Sequence, residues 1–274
     1  MLLHGLSSSP LEMQYLARRL RESGYVVQSP AIPGCGFGTR EDPFDTGSWR
    51  EWTAYVLGQL DAMAQRYEKV HVAGLCIGAV LALRLAIERP AAIGSLSLIS
   101  TTLYYDGWAM PWYRFLIPLG YYTPLRRRIA WRERSPFGLK NERMREWIER
   151  AMASHGNSPA GAAALPLMGI HEAHALIRAV RRDIKRVVAP TLLLHAREDE
   201  VASPRSAEFV AQNVGSGEVR KVLFDDSYHM LTLDNDKDAV VDETLAFFER
   251  HGAAARRAGG RGEAPVVRVP AVAG

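Results

Sequence analysis

A chain of 274 residues, 47% hydrophobic and 23% charged, has the make-up of an ordinary water-soluble globule with apolar content enough for a full sheet and its flanking helices. The formal net charge is +4, from 34 basic and 30 acidic side chains; the excess gathers at Arg126, Arg127, Arg128, Arg132, Arg134, Lys140, Arg143 and Arg145, which indicates a solvated face or an anionic partner. Two cysteines exclude a disulfide framework, no apolar run is long enough to span a bilayer, and no signal-peptide pattern opens the chain, so a reducing, cytoplasmic setting is expected.

Leu2-Leu3 is the stub of a strand. Ser9-Pro10-Leu11-Glu12 then combines an N-cap residue, a proline at the first helical position and a capping-box glutamate, which predicts a helix to about Ser23. Met13, Leu16, Ala17 and Leu20 form its buried stripe and Gly24 stops it. Tyr25-Val26-Val27 reads as the next strand, leading into the glycine-rich loop Pro33-Gly34-Cys35-Gly36-Phe37-Gly38. Trp49, Trp52, Val56, Leu60 and Met63 recur at helical spacing as a core-facing stripe. The β-branched run Val70-His71-Val72-Ala73 follows, then the turn Gly74-Leu75-Cys76-Ile77-Gly78, then a helical run from Ala79 to Arg89 that Pro90 ends. Ser95 to Ile99, Thr191 to Leu194 and Val219 to Phe224 are further strands. The last two are separated by a helix that Ser203 caps and Pro204 begins, and a final helix runs from about Asp236 to Arg250.

Strands alternating with helices predict an α/β fold, a mostly parallel sheet flanked by helices, with ligands gathered at the strands' C-terminal ends. Residues 101–188 interrupt the rhythm with a helical, aromatic pattern too long for a loop. They are read as a helical cap inserted between strands, with Gly156 to Gly161 as a turn between its helices. The expected division is therefore a core of residues 1–100 and 189–251, the cap at 101–188, and a disordered tail at 252–274, rich in Ala, Gly, Arg and Pro.

The Gly-x-Cys-x-Gly turn carries the chemistry. A strand turning this sharply into a helix throws its central side chain over the helix N-terminus, where backbone N–H groups and the macrodipole favour negative charge. Cys76 is the candidate nucleophile, and the two glycines let backbone approach backbone on either side of it. A nucleophile needs a base and a group to orient that base. His229 follows the last strand, in Asp225-Asp226-Ser227-Tyr228-His229-Met230, and Asp199 follows the strand before it, in His195-Ala196-Arg197-Glu198-Asp199-Glu200. Asp225 and Asp226 compete with Asp199 for the orienting role. His71, His155, His171 and His174 offer no second ligand at metal spacing that is not equally a helix-face repeat, and nothing indicates a metal or prosthetic group. Cys35 reads as a free loop thiol, with disulfide exchange with Cys76 as the alternative.

The order nucleophile, acid, histidine, together with His4-Gly5-Leu6 after a strand, resembles the α/β-hydrolases. Within them the chain is most similar to small bacterial carboxylesterases of the monoacylglycerol-lipase-like group, over about Leu2 to His251. The likeness rests on the helix after His-Gly, on Ala196-Arg197-Glu198-Asp199-Glu200 and on His229-Met230-Leu231-Thr232-Leu233-Asp234. It implies ester hydrolysis through an acyl-enzyme, a cap that forms the acyl pocket, and an oxyanion hole from the N–H groups of Leu6 and Ile77. Those esterases carry Ser at the elbow, so Cys76 resembles instead the dienelactone hydrolases, polyhydroxyalkanoate synthases and some thioesterases. The chain opens at what is the third strand of the family.

The expectation is an acyl hydrolase of carboxylesterase or thioesterase type with a Cys76-His229-Asp199 triad. His4, Gly5, Trp108, Trp112 and Tyr113 are candidates for contact with a small acyl ester or thioester. The dense aromatics Trp108, Trp112, Tyr113, Phe115, Tyr121 and Tyr122 read equally as acyl pocket and as packing between cap and sheet. The first alternative is an acyltransferase with the same triad, whose basic stretch engages an acyl carrier protein or the phosphates of coenzyme A. The second is a non-catalytic binding module. No zinc finger, basic helix-turn-helix or RNA-binding aromatic motif accompanies the charge, so no nucleic-acid partner is expected, and a membrane-touching cap is the lesser reading of its aromatics.

Overall fold

The computed structural model describes residues 1–258 apart from 38, 43, 113, 114, 116–119, 122, 124–128, 156, 159 and 160. Tyr113, Tyr122, Arg126, Arg127, Arg128 and Gly156 of the sequence reading lie outside the described residues, as does the tail beyond 258. Five parallel strands form the main sheet: β1 (Leu2–Leu3), β2 (Val70–Leu75), β3 (Ile93–Ile99), β8 (Thr191–Ala196) and β9 (Val219–Phe224), in the order β1-β2-β3-β8-β9. Because side chains alternate across a strand, the sheet feeds two cores. Leu3, Val70, Val72, Leu96, Leu98 and Leu193 face one side, and Leu2, Ala73, Leu75, Ile99, Leu192 and Leu194 the other.

The first core is closed by α2 (Trp49–Ala64), α3 (Ile77–Glu88) and α5 (Leu167–Asp183), the second by α1 (Gln14–Glu22), α4 (Glu142–His155) and α7 (Lys237–Ala258). The stripes read from periodicity are the ones buried: Met13, Leu16, Ala17 and Leu20 on one side, Trp52, Val56, Leu60 and Met63 on the other, with Trp49 half-buried. Gly24 ends α1 at φ +86°. The remaining helix, α6 (Arg205–Asn213), lies between β8 and β9 and starts one residue later than expected. Ser203 Oγ accepts the Arg205 N–H at 3.4 Å.

Several sequence expectations are corrected. Tyr25-Val26-Val27 is extended but is no strand: Leu2 N–H donates to the Gln28 carbonyl at 2.8 Å, and Val26 is 67% exposed. A two-residue β1 offers too short an edge for a ladder. The capping-box role of Glu12 is also absent. Ser9 does cap a short 3-10 turn, Pro10–Met13, but the Glu12 side chain is turned into the protein. The segment between β3 and β8 is not wholly helical. Besides α4 and α5 it holds two antiparallel pairs, β4 (Ala130–Arg132) with β7 (Ala164–Pro166) and β5 (Asn157–Ser158) with β6 (Gly161–Ala162), the second of which occupies the place of the expected interhelical turn. The last helix runs to Ala258 rather than Arg250, so 252–258 are helical and not part of a disordered tail. Ala253-Ala254-Ala255 are the strongest of helix formers. No helix among the described residues is long and apolar enough to cross a membrane.

The turn from β2 into α3 is closely packed. A Cβ on Gly74 would stand 2.6 Å from the Ala79 nitrogen, and one on Gly78 would stand 2.6 Å from the His4 carbonyl oxygen. Gly58, by contrast, lies in α2 with open space around it. Gly78→Ala should therefore lose about 2–3 kcal/mol of stability through overpacking, whereas Gly58→Ala should gain about 0.5–1 kcal/mol through helix propensity. Urea unfolding of the two variants measures this, and similar values for both would contradict the crowding argument.

Candidate active site

All five strands of the main sheet end at the same edge, and each is followed by a residue of the candidate site: His4 to Leu6 after β1, Cys76 after β2, Ser100 and Thr102 after β3, Asp199 after β8 and His229 after β9. Cys76 sits at φ +56°, a conformation that L side chains rarely adopt. Its N–H donates to the Ile99 carbonyl at 3.0 Å and its carbonyl accepts the first free N–H groups of α3, from Ala79 at 3.1 Å and Val80 at 3.4 Å. The sulfur is left at the head of α3, partly exposed, where it accepts the Thr102 hydroxyl at 3.3 Å.

His229 is brought to this sulfur. Its Nδ1 donates to Asp199 at 2.8 and 2.9 Å from the two carboxylate oxygens. Its Nε2 makes no hydrogen bond among the described residues, and Cys76 stands close enough to act electrostatically on the ring. Burial pushes the imidazole pKa down, but the charges and hydrogen bonds of Asp199 and Cys76 outweigh it and hold His229 well above the usual value. For Asp199, burial pushes up, and His229, His195 and the Ala202 amide pull down further, leaving the carboxyl below its usual range. Asp199 Oδ1 also accepts the N–H groups of Val201 at 2.9 Å and Ala202 at 2.8 Å. The competing acids are elsewhere: Asp225 pairs with Arg197 at the surface, and Asp226 is exposed.

The Leu6 and Ile77 N–H groups have no backbone acceptor among the described residues. They belong to the loop after β1 and the first turn of α3, on either side of Cys76. The other residues proposed to touch substrate are placed differently. His4 is 1% exposed, with Nε2 accepting the Ile32 N–H at 3.0 Å and Nδ1 donating to the Gly5 carbonyl at 2.8 Å. It is a strut beneath the loop and not a substrate contact, and burial pushes its pKa down to about 4. Gly5 gives its N–H to Glu12. Trp108 and Trp112 are 59% and 78% exposed. Trp108 donates Nε1 to the Glu198 carbonyl at 2.9 Å, which ties it to the Asp199 loop. Phe115 is exposed and Tyr121 is buried beside His171 and His174. Cys35 is a free thiol, as read from the sequence, but a buried one, 1% exposed, with Sγ 3.9 Å from the Gly5 carbonyl oxygen.

Sequence reasoning missed five residues around this centre. Glu200 is buried and accepts the His229 backbone N–H at 3.0 Å, and Ser100 Oγ donates to the His229 carbonyl at 2.6 Å. Thr102 reaches the sulfur, and Glu12 lies under the loop after β1. Glu133, which follows β4, is half-buried and feels the His229 charge. Burial pushes the carboxyls of Glu12, Glu133 and Glu200 each up to about 7, against the pull of His229 in every case. Three consecutive acids at 198–200 were the one visible signal; the others are isolated polar residues in apolar or loop surroundings.

A family model described as serine aminopeptidase, S33 (Hydrolase_4), matches residues 1–236, and the chain belongs to that family. It is 25% identical over 259 residues to the thermostable monoacylglycerol lipase of Bacillus sp. (strain H-257), covering 92% of this chain and 90% of that one. It is 24% identical over 255 residues to the carboxylesterase of Bacillus subtilis (strain 168), covering 91% and 92%. Among solved structures, the monoacylglycerol lipase of Paleococcus ferrophilus superposes with a TM-score of 0.70 at 18% identity, over 91% of this chain and 93% of that one. The protein is an α/β-hydrolase enzyme, and its resemblance to the monoacylglycerol-lipase-like esterases holds across the chain.

The raised pKa of His229 depends chiefly on Asp199, so Asp199→Asn should lower it. NMR titration of the imidazole should find the wild-type ring still protonated above pH 6.5 and the variant ring deprotonating at lower pH. Stability follows the same sign. The share owed to charged His229 is full below its unfolded pKa and is lost as pH rises through the folded one, while the share owed to Asp199 is lost as pH falls through its depressed one. An unchanged midpoint in the variant would show that Asp199 does not set the charge of the ring.

Proposed function

We propose that the protein cleaves small acyl esters or thioesters through a covalent acyl-cysteine on Cys76. What carries the reading is Cys76 at the head of α3 with His229, held by Asp199, acting on it, and the N–H groups of Leu6 and Ile77 without a backbone acceptor among the described residues. The named relatives, a monoacylglycerol lipase and a carboxylesterase, support ester hydrolysis as the reaction class.

In this mechanism the Cys76 thiolate attacks the acyl carbon, and the new C–S bond forms as the carbonyl oxygen takes up negative charge. The N–H groups of Leu6 and Ile77 hold that oxygen, each worth about 3 kcal/mol in the transition state. Protonated His229 gives its Nε2 proton to the leaving alkoxide or thiolate as the tetrahedral species collapses. The neutral ring, still held by Asp199, then draws a proton from water, and the hydroxide formed releases the acid and returns Cys76. A histidine biased towards its charged form suits a thiol nucleophile, because an imidazolium neighbour favours the thiolate. The segment 101–188 acts as the cap over the strand ends, and Glu133 from it brings a carboxyl towards His229.

Transfer of the same acyl group to an alcohol, an amine or a carrier is the alternative outcome, since a thioester intermediate is energy-rich enough to acylate any of them. An acyl carrier protein or a coenzyme A thioester would then be the partner. Two free cysteines fit a reducing compartment such as the cytoplasm.

Incubation with p-nitrophenyl butyrate and with butyryl thioesters, followed by intact-mass analysis, should show one butyryl adduct on wild type and none on Cys76→Ala. His229→Ala should lower the rate of adduct formation by about 10²–10⁴-fold, the range typical of lost acid–base catalysis. Adding an alcohol or amine separates the two fates: acid as product supports hydrolysis, and a new ester or amide supports transfer. Full turnover by Cys76→Ala, or binding without any adduct on wild type, would overturn the proposal.

A further inference from the structure

Glu12 is 1% exposed and has no lysine or arginine partner among the described residues. A buried carboxylate is costly unless donors surround it. Its donors are two, the Gly5 backbone N–H to Oε1 and the Ser8 hydroxyl to Oε2. Both belong to the loop after β1 that carries the Leu6 N–H. A carboxylate turned outward as a helix cap would have kept its hydration, so its inward position calls for another account.

The neighbours of the Leu6 amide are tied one by one. The Gly5 N–H goes to Glu12, the Gly5 carbonyl accepts from His4 Nδ1, the Ser7 N–H donates to the Cys35 carbonyl at 2.7 Å, and the Ser7 carbonyl accepts from Ala162 N–H at 2.8 Å. Ser7 holds φ +51°, so this course of the backbone needs such restraint. The Leu6 N–H alone among the amides at positions 5 to 7 is left without a backbone or side-chain acceptor among the described residues. Glu12 also stands close to the reacting atoms: a Cβ on Gly5 would lie 3.3 Å from Cys76 Cβ and 3.4 Å from Glu12 Oε1, so only the width of Gly5 separates the carboxylate from the elbow.

We infer that Glu12 is a positioning residue of the oxyanion hole: its carboxylate fixes the Gly5 amide and the Ser8 hydroxyl, and so aims the Leu6 N–H at the substrate oxygen. The inference rests on the acyl-cysteine reading above. Glu12 acts through the loop, not on the sulfur, and that distinction can be measured. Acylation by p-nitrophenyl butyrate passes through a tetrahedral oxyanion, in which the C–S bond forms and p-nitrophenolate leaves. Alkylation of Cys76 by iodoacetamide forms a C–S bond and expels iodide with no oxyanion at all.

Single-turnover acylation and iodoacetamide alkylation of the full chain are therefore compared in wild type, Glu12→Ala and Glu12→Gln, with the modified residue identified by mass. Loss of an oxyanion donor outright costs about 10²–10³-fold, so a loosened one should cost Glu12→Ala about tenfold or more in acylation while alkylation stays within about twofold. Glu12→Gln keeps an acceptor for the Gly5 N–H and should recover most of the loss. Glu12→Asp, with the charge drawn back by one methylene, replaces the alanine variant if that chain does not fold, and the same split is expected. Equal losses in both reactions would mean that Glu12 acts on the sulfur, and wild-type acylation in Glu12→Ala would mean that it acts on neither; each overturns the inference. Wild-type protein that is alkylated but never acylated would instead defeat the acyl-cysteine reading itself, and this inference with it.

Discussion

The backbone of Cys76 at φ +56° is the constraint on which the rest of the site depends. An L residue in that region is strained, and such strain persists only where the surroundings over-determine it. Here they do. The Cys76 N–H and C=O are both bonded, to β3 and to α3. Gly74 and Gly78 let β2, α3 and the loop after β1 close to distances that no side chain permits. The result is a side chain fixed at a helix N-terminus and three chain segments locked together at one point. Relaxing the elbow by even one bulky residue would displace the Cys76 side chain, the helix start and the loop together, since they share the same contact.

Around that point buried polar groups hold the protein together with the apolar cores that pack against Cys76 from both sides. His4 struts the loop after β1 with both ring nitrogens. Ser100 and Glu200 take the carbonyl and the N–H of His229, so the ring is carried on a backbone anchored at both ends. Asp234 anchors the same loop from its far side, accepting N–H groups from Tyr228 at 2.9 Å, Lys140 at 2.7 Å and Asn141 at 2.9 Å. The 101–188 segment is thus bonded directly to the histidine loop, and through Trp108 to the Asp199 loop as well. Hydrogen bonds are directional where hydrophobic contact is not. Placing a ring nitrogen within reach of a sulfur demands direction.

Much of this could be read from the sequence because it was periodic or punctuated. The stripes of α1 and α2, the glycines of the elbow, and an acid and a histidine at successive strand ends all leave marks at fixed spacings. What was misread had the right local pattern in the wrong surroundings. Glu12 satisfies the capping template, but only the fold brings the Gly5 N–H and the Ser8 hydroxyl to where they draw it inward. Tyr25-Val26-Val27 has strand composition, yet a strand needs a partner edge, and β1 is two residues long. His4 stands where a substrate contact was expected, and the Ile32 N–H claims it. On either side of α4, residues 130–132 pair with 164–166 and 157–158 with 161–162 where a wholly helical segment was expected, because where periodicity is weak, strand pairing decides the outcome.

The same logic sorts the acids that sequence could not rank. Four carboxyls, Glu12, Glu133, Asp199 and Glu200, feel the charge of one imidazole, and all four are penalised by burial. Only Asp199 falls below its usual value. Its carboxylate accepts two backbone N–H groups besides the ring itself, and a second histidine, His195, stands 3.4 Å away. Glu200 accepts the His229 amide and is further raised by the charge of Asp199, so next to an ionised neighbour it holds its proton more tightly. Asp199 is therefore the acid whose charge is favoured beside the imidazole, while burial holds Glu12, Glu133 and Glu200 above the usual carboxylate range. A site organised in this way gathers its negative charge on Asp199, next to the imidazole of His229, instead of spreading it over four neighbouring carboxyls.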